Sequence, residues 1–205
     1  MCSYVMSTDR GSAPNYDGGA VTLAICKPRV RRKGQPGDLL LGFNGSALSS
    51  RPNSLRWAGL VAEVMALEDY WEDPRFKTKQ PGHSNTPDNI YRSENGTTIQ
   101  VPNSSHDCAN METDLSGRNT LICGKAWHFG DDGPELPEYF GLHVPMNARR
   151  TEPLREIPRA VWIALEAWLD HNDAGLPVAT GLQGKGCSSR AEPSRTLRAG
   201  AGPRC

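Results

Sequence analysis

Val21-Thr-Leu-Ala-Ile-Cys26 is followed directly by Lys27-Pro-Arg-Val-Arg-Arg-Lys33, then by Gly34-Gln-Pro-Gly-Asp38 and Leu39-Leu-Leu-Gly-Phe43. The two apolar runs are short and bounded by turn formers, which predicts two strands. Between them lies a segment in which Lys27, Arg29, Arg31, Arg32 and Lys33 carry positive charge. The reading is a short basic loop held by a rigid scaffold, where binding residues concentrate. Arginine suits phosphate because its planar fork bonds two oxygens at once. A solvated loop that serves only solubility is the alternative.

Outward from this stretch, Tyr4-Val-Met6 reads as a short strand and Trp57–Met65 as a longer one. Glu68–Phe76 reads as one short helix that ends where Asp73-Pro74 disfavours helical geometry. Residues 77–118 are polar and largely aperiodic, the signature of a functional loop, with Asp88-Asn-Ile-Tyr91 as an island and Thr98–Val101 as a small strand after Asn95-Gly96. Asn119–Phe129 reads as a strand interrupted at Gly124. Ile157–Asp170 repeats apolar residues at helical spacing, with Pro158 suited to its first turn. These elements predict an α+β domain over residues 1–172, with a strongly bent antiparallel sheet and flanking helices. The Gly-, Ser-, Pro- and Arg-rich stretch over 173–205 reads as a flexible or disordered tail.

Composition narrows the function. The 205 residues carry 23 Lys+Arg against 23 Asp+Glu, but the charge is uneven. Residues 1–60 hold 8 basic and 3 acidic side chains, whereas residues 61–140 hold 6 and 14. A basic front beside an acidic middle predicts an anion site at the front. No apolar run approaches the ~20 residues of a membrane span, and the N-terminal stretch lacks the pattern of a signal peptide, so the expected location is the cytoplasm. The six cysteines form no C-x-x-C pair, and free thiols are their expected state there. No P-loop, dinucleotide fingerprint, zinc-deaminase signature or nucleophile elbow occurs, which argues against the enzymes that depend on them.

Several side chains carry possible chemistry. Lys27, Arg29, Arg31 and Arg32 would contact phosphate, with Asn89 beside them and Tyr70 and Trp71 stacking on a base. Burial of Tyr70 and Trp71 in the core is the competing reading. Cys26, next to four cations, suits a nucleophile, although a buried strand-end cysteine is the reading favoured by burial statistics. Among the carboxylates, Asp38 and Asp73 suit turn and helix-end roles, and Asp107 and Asp114 are further candidates. Asp88 is the foremost catalytic candidate, because it sits in an otherwise irregular stretch beside Asn89 and Tyr91. His106-Asp107-Cys108 and Trp127-His128-Phe129 lack chelating spacing, so no metal site is predicted and no cofactor is assigned.

Ala13-Pro-Asn15, Gly18-Gly19, Cys26–Arg32, Gly37-Asp38, Glu63-Val64, Asp69–Phe76 and Asp88–Tyr91 form an ordered series of blocks. Together they resemble the second nucleotide modification associated domain family over residues 1–145. The resemblance implies a bacterial or phage protein linked to systems that modify DNA bases. Gly37-Asp38 and Glu63-Val64 also resemble, more loosely, the PUA-like barrels, including EVE and ASCH domains. That likeness implies a partial β-barrel whose mouth holds a flipped base.

Two functions are therefore expected. The first is a nucleotide- or nucleic-acid-binding protein, DNA in preference to RNA, that reads or processes a modified base. The second is a non-catalytic nucleotide sensor or protein-interaction module of an antiphage system. Salt separates them, since polynucleotide binding weakens steeply with salt. If the basic loop is exposed, replacing Arg31 and Arg32 together removes anion binding and spares the fold.

Overall fold

The computed structural model describes residues 1–142, the backbone of 152–153, and residues 158–175. The chain divides into two compact units. The first comprises Met1–Asp9, Gly34–Glu63 and Cys123–Pro177; the second comprises Arg10–Lys33, Val64–Ile122 and Val178–Cys205. Within the described residues the architecture is mixed α+β. No helix there is long and apolar enough to cross a membrane.

The first unit is built on a sheet. Its strands are β1 (Cys2–Met6), β3 (Leu39–Asn44), most of β4 (Leu55–Ala66), the latter part of β7 (Asn119–His128) and the short β8 (Glu152–Pro153). Their order is β7-β4-β3-β1-β8. β3 and β4 pair antiparallel, with Leu39 opposite Leu60 and a register shift at Gly42/Phe43. β1 and β3 pair in parallel, with Cys2 opposite Leu40. The sheet is therefore mixed, which corrects the expected antiparallel arrangement, and it closes no barrel among the described residues. The structure does not confirm the PUA-like partial barrel. The reason lies in the connection: between β1 and β3 the chain spends residues 10–33 in the second unit, and that excursion returns β3 alongside β1 in the same direction.

Helix α4 (Arg159–Asn172) covers this unit's core. It begins two residues after the expected start; Ile157 lies outside the described residues, as does nearly all of the 173–205 tail. Leu165 and Leu169, four residues apart, are fully buried with Val5, Leu41, Phe43, Trp127 and Phe140. Side chains at that spacing share one helix face.

The second unit contains β2 (Val21–Leu23), α1 (Pro28–Lys33), α2 (Leu67–Glu72), a 3-10 turn over Pro74–Lys79, the hairpin β5 (Tyr91–Glu94) and β6 (Thr97–Gln100), and α3 (Met111–Leu115). Its core joins Ala24, Ile25, Leu67, Tyr70, Phe76, Ile90, Tyr91, Met111 and Ile122. Asn95 and Gly96 both have positive φ, 51° and 74°. That geometry belongs to a two-residue hairpin turn whose twist matches the strands, and Asn-Gly is its favoured pair. The expected single helix over Glu68–Phe76 is two pieces. Asp73 stops α2 and accepts a hydrogen bond from the Arg75 amide, capping the 3-10 turn that Pro74 opens.

Residues 28–33 form a helix, which corrects the expected loop. Pro28 presets the first helical φ. Val30 is fully buried, so the segment has an inner face. The expectation that β2 continues to Cys26 is also corrected: the strand ends at Leu23.

Candidate functional site: a cysteine, histidine and aspartate

Cys26 occupies the turn between β2 and α1. Cys26 and Lys27 both adopt left-handed backbone, with φ of 56° and 42°. This conformation costs an L-residue about 1–2 kcal/mol. Ala24 and Ile25, fully buried just before the turn, anchor it. Strain of this kind concentrates at functional sites because the surroundings must hold it in place.

The Cys26 amide donates to Asp114 Oδ1 at 2.7 Å. The residue is half-buried, and its sulfur lies 3.2 Å from His106 Nε2. The opposite ring nitrogen, Nδ1, lies 2.6 Å from Asp114 Oδ2. Sulfur, imidazole and carboxylate thus stand in line across the two edges of one ring. His106 is fixed from its own backbone: its amide donates to Asn103 Oδ1 at 2.8 Å, and its carbonyl accepts from Gln100 Nε2 at 3.0 Å. Asp114, on α3, is 1% exposed and also accepts from the Tyr91 hydroxyl at 2.9 Å.

The electrostatics follow from this arrangement. Burial by itself would lower the His106 pKa, but hydrogen bonds to Asp114 and Cys26, and their charges, overcome it and raise the pKa to about 10. Burial, and then the nearby Asp114, push the Tyr91 hydroxyl upward, so it stays a donor to that carboxylate. Burial lowers the Lys27 pKa against the pull of Cys26.

Arg31 is fully buried behind the turn. Nε donates to the Cys26 carbonyl at 2.7 Å, one terminal nitrogen to the Asn119 carbonyl at 2.9 Å, and the other to the Asp114 carbonyl at 2.5 Å. It therefore ties β7, α3 and the Cys26 turn together. The sequence places Arg31 in the same exposed loop as its neighbours; in the structure the protein's own carbonyls take its donors instead. Replacing Arg31 and Arg32 together should accordingly disturb the fold as well. Arg29 and Arg32, three residues apart, are exposed, and Arg32 donates to the Ser116 carbonyl at 3.4 Å.

The carboxylate at position 88 lies elsewhere in the same unit. Asp88 is fully buried; Thr22 Oγ1 donates to it at 2.7 Å and the Tyr70 hydroxyl at 2.9 Å. Burial raises its pKa, against the opposing charge of buried Lys79. Asn89 donates to the Tyr70 and Phe76 carbonyls at 2.8 and 3.3 Å. Tyr70 packs on Phe76 with ring centres 4.7 Å apart, which leaves half-buried Trp71 as the more accessible aromatic of the pair. Asp38 accepts from the Gln35 amide at 2.9 Å, the turn role expected of it.

The structure thus brings Cys26, Tyr91 and Arg31 into one network, sets Asp88, Asn89 and Tyr70 in a second buried cluster, and leaves Arg29 and Arg32 on the surface. The sequence offers His106 only as a metal-ligand candidate and Asp114 only as one of several carboxylates. No signal in the sequence joins residues 80 and 88 positions from Cys26. The free-thiol expectation holds for Cys2, Cys26 and Cys123, whereas Cys108 is disulfide-bonded. Among the described residues no group of three His, Cys, Asp or Glu side chains is arranged to hold a metal ion.

Comparison with curated proteins and with solved structures finds no match. A model of one family, nucleotide modification associated domain 2, matches residues 1–183. That span takes in the Cys26 turn, His106 and Asp114, and the chain belongs to the nucleotide modification associated domain 2 family.

Proposed function

We propose that this protein binds a nucleotide or a nucleic acid, DNA in preference to RNA, and processes a modified base at the Cys26 turn. The observation that carries this reading is the position of Arg29 and Arg32. They are the exposed arginines of the helix that starts two residues after Cys26, which ends on a third exposed cation, Lys33. Residues three apart on a helix share a face, so the pair presents one cationic surface to an anion. Each bond from a guanidinium to phosphate contributes about 1.5–3 kcal/mol. Family membership supplies the context of nucleotide modification. Arg31 serves the reading indirectly, by fixing the turn from which its neighbours project. Half-buried Trp71 is the aromatic candidate for stacking on a base.

Binding of a fluorescent single-stranded oligonucleotide, followed across a salt series, tests this. Arg29→Ala with Arg32→Ala should weaken binding and flatten the salt dependence by about one to two charges. Equal binding by the double variant and the parent would reject the cationic surface. Tight binding of a mononucleotide with little salt dependence would instead favour the sensor reading.

A further inference from the structure

We infer that Cys26 is the nucleophile of an acyl-transfer reaction, with His106 as proton carrier and Asp114 as its orienting carboxylate, and that the substrate is an amide or ester borne by a nucleotide or base. The substrate class rests on the nucleotide reading above; the chemistry rests on geometry alone.

Three observations converge. The sulfur and His106 Nε2 are 3.2 Å apart, which is proton-transfer contact for a thiol. Asp114 bonds to the far nitrogen Nδ1 at 2.6 Å and so turns Nε2 toward sulfur. It therefore orients the ring instead of converging with sulfur on a shared centre, as metal ligands would. The backbone at Cys26 and Lys27 is held in left-handed conformation, at 56° and 42°, so the fold spends stability to present this side chain from a tight turn.

The position of the proton donor selects the reaction. His106 stands at the sulfur itself, close to whatever atom departs from the carbon that sulfur attacks. In acyl transfer the thiolate sulfur forms a bond to the carbonyl carbon, and the carbonyl π electrons move onto oxygen. The carbonyl then re-forms as the C–N or C–O bond breaks, and the leaving nitrogen or oxygen takes the proton from His106 Nε2. The product is a thioester on Cys26 and a neutral imidazole. Water or an amine next attacks that carbonyl and gives its proton to Nε2, and sulfur leaves as thiolate. Electrons and protons balance with no redox partner. The Cys26 amide, committed to Asp114 Oδ1 at 2.7 Å, is not a donor to the oxygen that gains charge.

The test uses the full reduced chain and p-nitrophenyl acetate as probe. The expected result is a stoichiometric burst of nitrophenol with one acetyl group mapped to Cys26, absent in Cys26→Ser. His106→Gln should slow acetylation of Cys26 by about 10²-fold or more at pH 7. Should that variant misfold, the site of acetylation in the parent still decides. Acetylation away from Cys26, an unchanged rate in a folded His106→Gln, or reaction with a pyrimidine ring and none with the ester would each overturn the inference. Oligonucleotide binding by Cys26→Ser is measured in parallel. Absence of acyl chemistry in the parent, with oligonucleotide binding retained, sinks only this inference, whereas acyl chemistry in the parent with no nucleotide binding in either protein sinks the substrate class.

Discussion

Arg31 and Gly117 are fitted to each other: a β-carbon at position 117 would stand 2.5 Å from the Arg31 guanidinium carbon. That guanidinium has nowhere to retreat, because the carbonyls of Cys26, Asn119 and Asp114 hold it from three sides. Gly117→Ala should therefore destabilise the protein by about 1–3 kcal/mol, the range for overfilling a packed site. Denaturant unfolding of the variant measures this; an unchanged midpoint would show that the turn yields.

Arg31→Ala should cost more, about 3–5 kcal/mol, since it removes a buried charge and strands its acceptors. Arg31→Lys should rescue little of it, because one ammonium cannot reproduce a planar fork bonded in three directions. Arg29→Ala with Arg32→Ala should stay within about 0.5 kcal/mol of the parent, as exposed replacements do. Thermal unfolding of the three proteins side by side checks the contrast. If the Arg31 and Arg29/Arg32 variants unfold alike, Arg31 is not the tie described.

His106 gives a pH signature with a definite sign. Its folded pKa, about 10, lies above its ordinary value of 6.5. The stabilisation from its protonated form is complete below pH 6.5 and is lost as pH rises through about 10. Unfolding free energy should fall across that window, and His106→Gln should remove this part of the slope. Urea unfolding at closely spaced pH values supplies the measurement; identical slopes in the two proteins would contradict the assignment.

Asp88→Asn should be a stability variant. Both Asp88 oxygens accept hydroxyl donors in a fully buried place, and an amide nitrogen at one of those positions faces a donor. The expected loss is about 1–3 kcal/mol. Calorimetry reads the loss, and a turnover assay of the still-folded variant tests the catalytic role that the sequence suggests for this residue. A variant as stable as the parent yet inactive would restore Asp88 to the chemistry.

Much of the fold was legible because it is local. Leu39–Phe43 and Trp57–Met65 lie within β3 and β4, and a short apolar run, its length and its flanking turn residues suffice for elements of that kind. Asn95-Gly96 marks its hairpin because few residue pairs accept two positive φ angles. The helix at 28–33 was obscured by its charge. Five cations in seven residues read as solvated, yet Val30 and Arg31 face inward. No periodicity resolves in so short a segment, and a buried arginine depends on partners that its own neighbourhood does not contain.

The sequence by itself determined the α+β class, most element positions, the cationic character of the segment after Cys26, and the family. Those properties follow from side-chain spacing, turn chemistry and order along the chain. Tertiary structure alone decided that β1 and β3 run parallel, that Arg31 is interior while Arg29 and Arg32 are not, and that Cys26, His106 and Asp114 meet. The reason is range. Strand direction, burial of a charge and alignment of a thiol with an imidazole each depend on groups brought from distant parts of the chain, and folding fixes their positions only through the contacts they make together.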